Sequence, residues 1–223
     1  MDSKTTLFPG WYVKFQTAVL EQLPRPGEID QKMAKWWFNN QKVLKRNLDS
    51  LLPLLKPLGI VSIPARSTPF IAREKFVVDT SDSAPVKISY IDDDFCPWFF
   101  EKTEESLFEP EQTLRYHKFR RASLDAPIIA ELGGEEKAQT TLSELYAMLE
   151  RQKNSKDGPL LTNGRVNIFY IKDASGVFRA VGVCLGRDGW YVLAYSIENT
   201  DEWGDGRVFS RSPEHSVPAQ SAN

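Results

Sequence analysis

Few side chains in this chain are suited to covalent chemistry. The 223 residues hold two imidazoles, His117 and His215, and two thiols, Cys96 and Cys184. A Cys96–His117 pair would be the one nucleophile–base combination. However, Cys96 sits in Phe95-Cys96-Pro97-Trp98-Phe99-Phe100, which reads more simply as a buried apolar run with cysteine as a small hydrophobe. There is no GxSxG elbow and no GxxxxGK[ST] phosphate loop, so serine-nucleophile and P-loop chemistry are not expected. Gly133-Gly134 precedes helical sequence, where free amides attract anions, but Glu135 and Glu136 already occupy that positive end. Asp92-Asp93-Asp94 invites a hard cation. Three consecutive aspartates at a strand end point apart, so the simpler reading is a solvated turn. A nuclease-like site would need Asp79 or Asp92 helped by Lys75 or Lys87, and the loop carrying Asp201, Asp205 and Gly206 carries the same ambiguity. No catalytic residue, metal ligand or cofactor is assigned.

A different pattern stands out earlier. Trp36, Trp37 and Phe38 are consecutive, so no single helical stripe buries all three, and Lys32, Lys35, Lys42, Lys45 and Arg46 surround them. An aromatic ring left on the surface among lysines fills a partner's pocket or stacks on a base. The expected binding residues are therefore Trp36, Trp37, Lys35, Lys42, Lys45 and Arg46, unless these aromatics pack against the rest of the chain.

Charge bounds the choice of partner. With 28 basic against 30 acidic residues the net charge is −2, too little field to drive the whole chain onto nucleic acid. A protein partner is expected first and nucleic acid second, helped by Arg115, Arg120 and Arg121. No apolar run approaches the ~18 residues of a membrane span, and the first residues lack a signal-peptide profile. Two cysteines are too few for a disulfide framework, so free thiols are expected, the alternative being one long-range bridge. Cytoplasmic location and no membrane association are the corresponding expectations.

The elements that must hold these groups follow from periodicity. Trp11, Phe15, Val19 and Leu23 recur every four residues behind Pro9, drawing one helical stripe. A second helix is predicted over 30–52, with Met33, Trp37, Leu44, Leu48 and Leu51 in its stripe and Pro53 limiting it. Together they predict a helical hairpin over residues 1–59, a segment with nine basic and five acidic residues. A linker is expected at 63–69, and strands at 75–79 and 86–91. A dense acidic stretch, Asp92 to Glu111, then precedes the basic one from Arg115 to Arg121. Thr141-Leu142-Ser143-Glu144 is a capping box opening a helix over 141–152. Beyond Gly158 four antiparallel strands are predicted, at 159–162, 165–172, 177–184 and 190–197, linked by an Asn163-Gly164 turn and two glycine-bearing turns. Apolar residues fall on both faces of these strands, which predicts a sheet covered on both sides. Residues 212–223 read as a polar tail.

Four strings in the second half, spanning a little under half the chain, have the character of a known module. They are Asp125 to Gly134 with the helix behind it, Leu160 to Gly164, Asn167 to Tyr170, and Val208 to Arg211. Here the chain resembles a module of uncharacterised bacterial proteins, a likeness that brings no activity with it. Arg165 stands where such proteins have an aromatic residue.

The expected fold is α+β: an N-terminal helical hairpin, then over 60–211 a mostly antiparallel β-sheet with one packed helix. The expected function is non-enzymatic binding of a protein through the basic aromatic helix. The alternatives are nucleic-acid binding through the same helix and a metal-dependent hydrolase or nuclease with a carboxylate site.

Overall fold

A computed structural model of the chain describes residues 9–23, 25, 27–49, 52–100, 110–153 and 157–211. The predicted tail at 212–223, His215 and most of the acidic stretch past Phe100 lie outside them. The chain divides into two units, Met1–Leu52 and Pro53–Asn223, so the break comes earlier than residue 59.

In the first unit α1 (Gly10–Glu21) starts directly behind Pro9, whose carbonyl takes the amides of Tyr12 and Val13. The second predicted helix is two: α2 (Gln31–Asn39) and α3 (Gln41–Asp49). The break is Asn40, at φ −116° and ψ 47°, whose side-chain amide donates to the Trp36 carbonyl at 2.7 Å. A short amide side chain competing for the helix's own carbonyls favours such an interruption. Asp30 caps α2 by accepting the Met33 amide at 2.6 Å. No residue of α1, α2 or α3 is buried.

The second unit is a mixed sheet with helices on both faces, which makes the chain α+β. In chain order its elements are β1 (Leu55–Ile63), α4 (Ala72–Lys75), β2 (Ile88–Ile91), α5 (Phe95–Phe100), β3 (Gln112–Phe119), α6 (Asp125–Leu132), α7 (Glu135–Ala138), β4 (Gln139–Thr140), α8 (Leu142–Arg151), β5 (Asn167–Lys172), β6 (Phe178–Leu185), β7 (Trp190–Ser196) and β8 (Arg207–Arg211). The sheet runs β1-β3-β8-β5-β6-β7-β2, with β4 extending β8's side of β5. Four pairings are antiparallel, and three, β2 with β7, β4 with β5 and β5 with β8, are parallel. The β5–β6–β7 meander matches the prediction closely.

Alternation along β5 explains the two-sided cover. Phe169 and Ile171 join Leu114, Val181, Val192 and Phe209 beneath Leu145, Met148 and Leu149 of α8 and Phe95 and Phe99 of α5. Ile168 and Tyr170 turn the other way, to Val208 and Ala180 beneath Ile128 and Ile129 of α6. The capping box is present in full: the Thr141 hydroxyl accepts the Glu144 amide at 3.1 Å and Glu144 accepts the Thr141 amide at 2.8 Å.

Several local expectations need correction. Residues 55–63, divided by prediction between a helical segment and a loop, form β1, an edge strand with a bulge at Pro57–Gly59. The predicted strand at 75–79 is the end of α4 followed by a single bridge, Asp79 to Ile88, because Val77 and Val78 face solvent and pair with nothing in the sheet. Residues 159–162 form no strand. Side chains hold them instead: Gln152 exchanges two hydrogen bonds with the Leu160 backbone, and Asn167 exchanges two with Leu161. A loop stitched by amide side chains imitates the polar balance of a short strand. Asn163-Gly164 still turns, with Gly164 at φ +82°.

Candidate interaction surface

Asp30, Lys32, Met33, Trp36 and Trp37 enclose a groove of about 370 Å³ on the first unit. The i, i+3, i+4 spacing of Met33, Trp36 and Trp37 on α2 places them side by side. The two indoles meet edge to face, ring centroids 4.9 Å apart at 81°, the arrangement their quadrupoles favour. Trp37 is half-buried, whereas Trp36 is 48% and Phe38 73% exposed, so the three consecutive aromatics do leave a single stripe. Met33, 54% exposed, belongs to the groove and was missed as a binding residue, although its four-residue spacing to Trp37 was visible.

The cations divide. Lys35, Lys42 and Arg46 are exposed along α2 and α3, while Lys45 is paired with Asp49 one turn on, at 2.9 Å. This surface pair contributes little to stability but removes one of the charges counted on for binding. Of the arginines expected to help, Arg120 and Arg121 lie exposed at the bend after β3, while Arg115 is half-buried within the strand.

The alternative chemistries are not assembled. Cys96 is exposed on α5, not buried as expected, and its thiol is pushed up by burial of the sulfur's surroundings and then by Asp93, so it is no thiolate at neutral pH. The α5 helix covers the face of the sheet opposite His117, which lines a pocket beside Glu131 and Leu132 of α6. Both cysteines are free. The Asp92 carboxylate accepts the Asp94 amide and the Asp79 carboxylate the Ser81 amide, each an Asx turn. Lys87 is paired with Asp82, and Lys75 lies 5.5 Å over the Tyr146 ring. Asp205 pairs with Arg165 at 3.5 Å. Among the described residues no three His, Cys, Asp or Glu side chains form a group suited to a metal ion, and no helix is long and apolar enough to cross a membrane.

Comparison with known proteins adds no relative: no family model, no curated protein and no solved structure matches this chain.

Proposed function

We propose that the chain acts by binding a protein, laying the Met33–Trp36–Trp37 groove and its lysines against an acidic surface of the partner. The observation that supports this reading is the groove itself, an aromatic and thioether surface left open on α2 with Lys32 in its lining and Lys35, Lys42 and Arg46 exposed elsewhere on α2 and α3. Exposed apolar patches rimmed by charge are the usual mark of an interaction site. Tryptophan anchors carry a disproportionate share of interface energy, and complementary charge sets partner choice and association rate. Asp30 and Asp49 are the acidic residues of α2, α3 and their cap. Lys32, Lys35, Lys42, Lys45 and Arg46 outnumber these two carboxylates, so the net charge of α2 and α3 is positive and an acidic partner fits it.

The test compares capture from lysate by the full chain with capture by Trp36→Ala and Lys42→Glu, each with nuclease. Both positions are exposed, so folding is not at stake. The expected result is a set of acidic proteins retained through nuclease treatment and weakened roughly 30-fold by Trp36→Ala, the loss of one hot-spot residue. Proteins bound equally by all three chains, or material that disappears with nuclease, would overturn the reading, the latter in favour of nucleic acid.

A further inference from the structure

The sheet face that carries α6 is covered over only part of its width. Ile168, Tyr170, Ala180 and Val208, on β5, β6 and β8, are fully buried there beneath Ile128 and Ile129. Strand pairing carries the same face outward to the β2 edge: Tyr195 lies opposite Ala180, Leu193 opposite Gly182 and Tyr191 opposite Cys184, and Tyr90 of β2 adjoins Tyr191. This end stays open, with Tyr90 43% and Tyr191 40% exposed and Leu193, Tyr195 and Cys184 half-buried. The Tyr90 and Tyr191 rings meet edge to face, centroids 5.9 Å apart at 73°. The Tyr191 ring also lies across Gly186, its Cζ 3.0 Å from where a Cβ would stand, so the missing side chain lets the phenol settle against the backbone. Tyr195 packs edge to face on Trp203, centroids 5.3 Å apart. The aromatic stripe is thus held in place by its own neighbours.

The charge beside these phenols is negative. The Asp92 amide donates to the Val192 carbonyl at 2.8 Å, which sets Asp92 next to the stripe, and Asp201 lies two residues before Trp203, on which Tyr195 packs. Burial, and then Asp92, Cys184, Tyr90 and Asp201, hold the Tyr195 phenol above its ordinary value; the four side chains acting on it are all acids. The turn and the loop that supply Asp92 and Asp201 add Asp93, Asp94 and Glu202, all exposed. Against these five carboxylates stand two cations at the strand ends, Arg187 beside Gly186 and Arg165 beside Val166, the second paired with a further acid, Asp205, at 3.5 Å.

We propose that this open tyrosine face binds a basic, arginine-bearing segment of a partner protein in extended form, with guanidinium groups lying on the Tyr191 and Tyr195 rings and meeting Asp92 and Asp201. Complementary charge argues for this occupant. Cations are drawn to phenol faces, and arginine exceeds lysine there because its planar guanidinium stacks on the ring while bonding a carboxylate twice. Nucleic acid also stacks on exposed rings, but its phosphates would face these carboxylates. The spacing suits an extended chain: Tyr191, Leu193 and Tyr195 stand two residues apart along β7, about 6.8 Å, the repeat of alternate side chains in any strand. Arginines four residues apart in such a segment reach both phenols. The partner's charge is opposite to that fitted by α2, so the two surfaces serve different partners.

Fluorescence anisotropy tests the assignment, with the full chain and short labelled peptides in which arginine, or lysine, alternates with serine, in about 0.1 M salt. The arginine peptide is expected to bind saturably and about fivefold more tightly than the lysine peptide. Tyr191→Leu, which keeps an apolar side chain at an exposed strand position, should weaken the arginine peptide about fivefold and narrow its lead over lysine. Asp201→Asn, in an exposed loop, should weaken both peptides alike and carries the test if Tyr191→Leu does not fold. No saturable binding of the arginine peptide at millimolar concentration, equal affinity for the two peptides, or undiminished affinity in either variant would each overturn the proposal. So would an oligouridine whose binding is lost in Tyr191→Leu, which gives the face to nucleic acid, or a dimer seen by sedimentation that Tyr191→Leu dissociates, which gives it to a second copy of the chain. The stripe lies wholly in the second unit, so these outcomes are independent of the Trp36 experiment.

Discussion

Asp125 opens α6 yet is 1% exposed, one of the few buried acids among the described residues. Its Oδ1 accepts the Tyr170 hydroxyl at 2.6 Å and the Trp203 indole N–H at 2.7 Å, so a single atom ties α6 to the centre of the sheet and to the loop before β8. Replacing it by alanine leaves the buried Tyr170 hydroxyl and the half-buried Trp203 indole N–H unpaired, at about 1–3 kcal/mol each, and removes an acid from a helix N-terminus, about 0.3–1 kcal/mol more. Asp125→Ala is expected to lose roughly 3–5 kcal/mol, a large part of the ~5–15 kcal/mol of a typical domain. Asp125→Asn keeps an acceptor oxygen and should lose about 1 kcal/mol. The two variants also differ from wild type in pH dependence. Burial raises the Asp125 carboxyl above its ordinary value, against the lowering effect of the Tyr170 and Trp203 hydrogen bonds. Between the unfolded value of about 3.9 and the raised folded one, the native state holds the extra proton, so this residue's contribution falls as pH rises through that window. Urea unfolding followed by tryptophan fluorescence, with wild type and Asp125→Asn compared at each pH, isolates the term from all other carboxylates. The gap between the two should narrow from pH 4 upward. A gap that widens with pH, or an Asp125→Ala loss below about 1 kcal/mol, would refute the account of Asp125 as a buried, hydrogen-bonded latch.

Two further outcomes follow from buried side chains in the same unit. Asn167, fully buried, accepts the Leu161 amide at 2.7 Å and donates to the Leu161 and Val183 carbonyls at 3.0 and 3.2 Å. Asn167→Ala should lose about 2–4 kcal/mol and speed amide exchange over 159–166 ahead of the strands. Asp173 has the opposite pH signature to Asp125: burial opposes its ionisation, but the Val177 amide, Arg179 and the Ser175 amide overcome that and hold the carboxyl below its ordinary value. Its contribution is present above about pH 4 and is lost as pH falls through the folded value. The stability gap between wild type and Asp173→Asn, measured by the same unfolding assay, should therefore shrink on acidification. A gap that grows would remove the Arg179 pairing, 2.9 Å from Asp173 with the guanidinium 4.0 Å over Trp98, from the explanation.

What could be read in advance was whatever rests on neighbours in sequence. The capping box at Thr141–Glu144, the turns behind Asn163 and Asp173, and the meander of β5, β6 and β7 are local chemistry, and the structure has them. The covered faces of the sheet were legible because β5 reads Ile168, Phe169, Tyr170, Ile171 without a polar residue between. Hidden from such reading was every pairing set by distant partners. β1 contains Pro57 and a bulge and so has the composition of a loop, yet it is ordered by β3, which lies far later in the chain and pairs Leu55 with Phe119 and Ile63 with Gln112. β3 carries Arg115, His117 and Lys118 and reads as a charged segment, because only Leu114 of its residues is fully buried. The pocket at His117 was invisible for the same reason: its residues come from β1, β3, α6, α7 and β8, and its strand residues meet only through the antiparallel pairing of β3 with β1 and β8.

The four strings that stand out in the second half of the sequence turn out to touch one another. Asp125 of the first meets Tyr170 of the third; Leu161 of the second is held by Asn167 of the third. Phe169 stacks on Phe209 of the fourth with centroids 4.5 Å apart, and Arg211 reaches Glu144 in the helix behind the first. These contacts are buried or half-buried, and each fixes one element against another. Residues that serve each other in this way constrain the fold and leave little of themselves for a ligand, so these strings bear on the scaffold and not on an activity. Specificity then has to come from groups the scaffold does not consume. Met33, Trp36 and Trp37 on α2 are such groups, and none of them lies in the four strings. Substitutions in the strings should therefore change stability first and binding only through it. Substitutions at Trp36 should change binding with stability held.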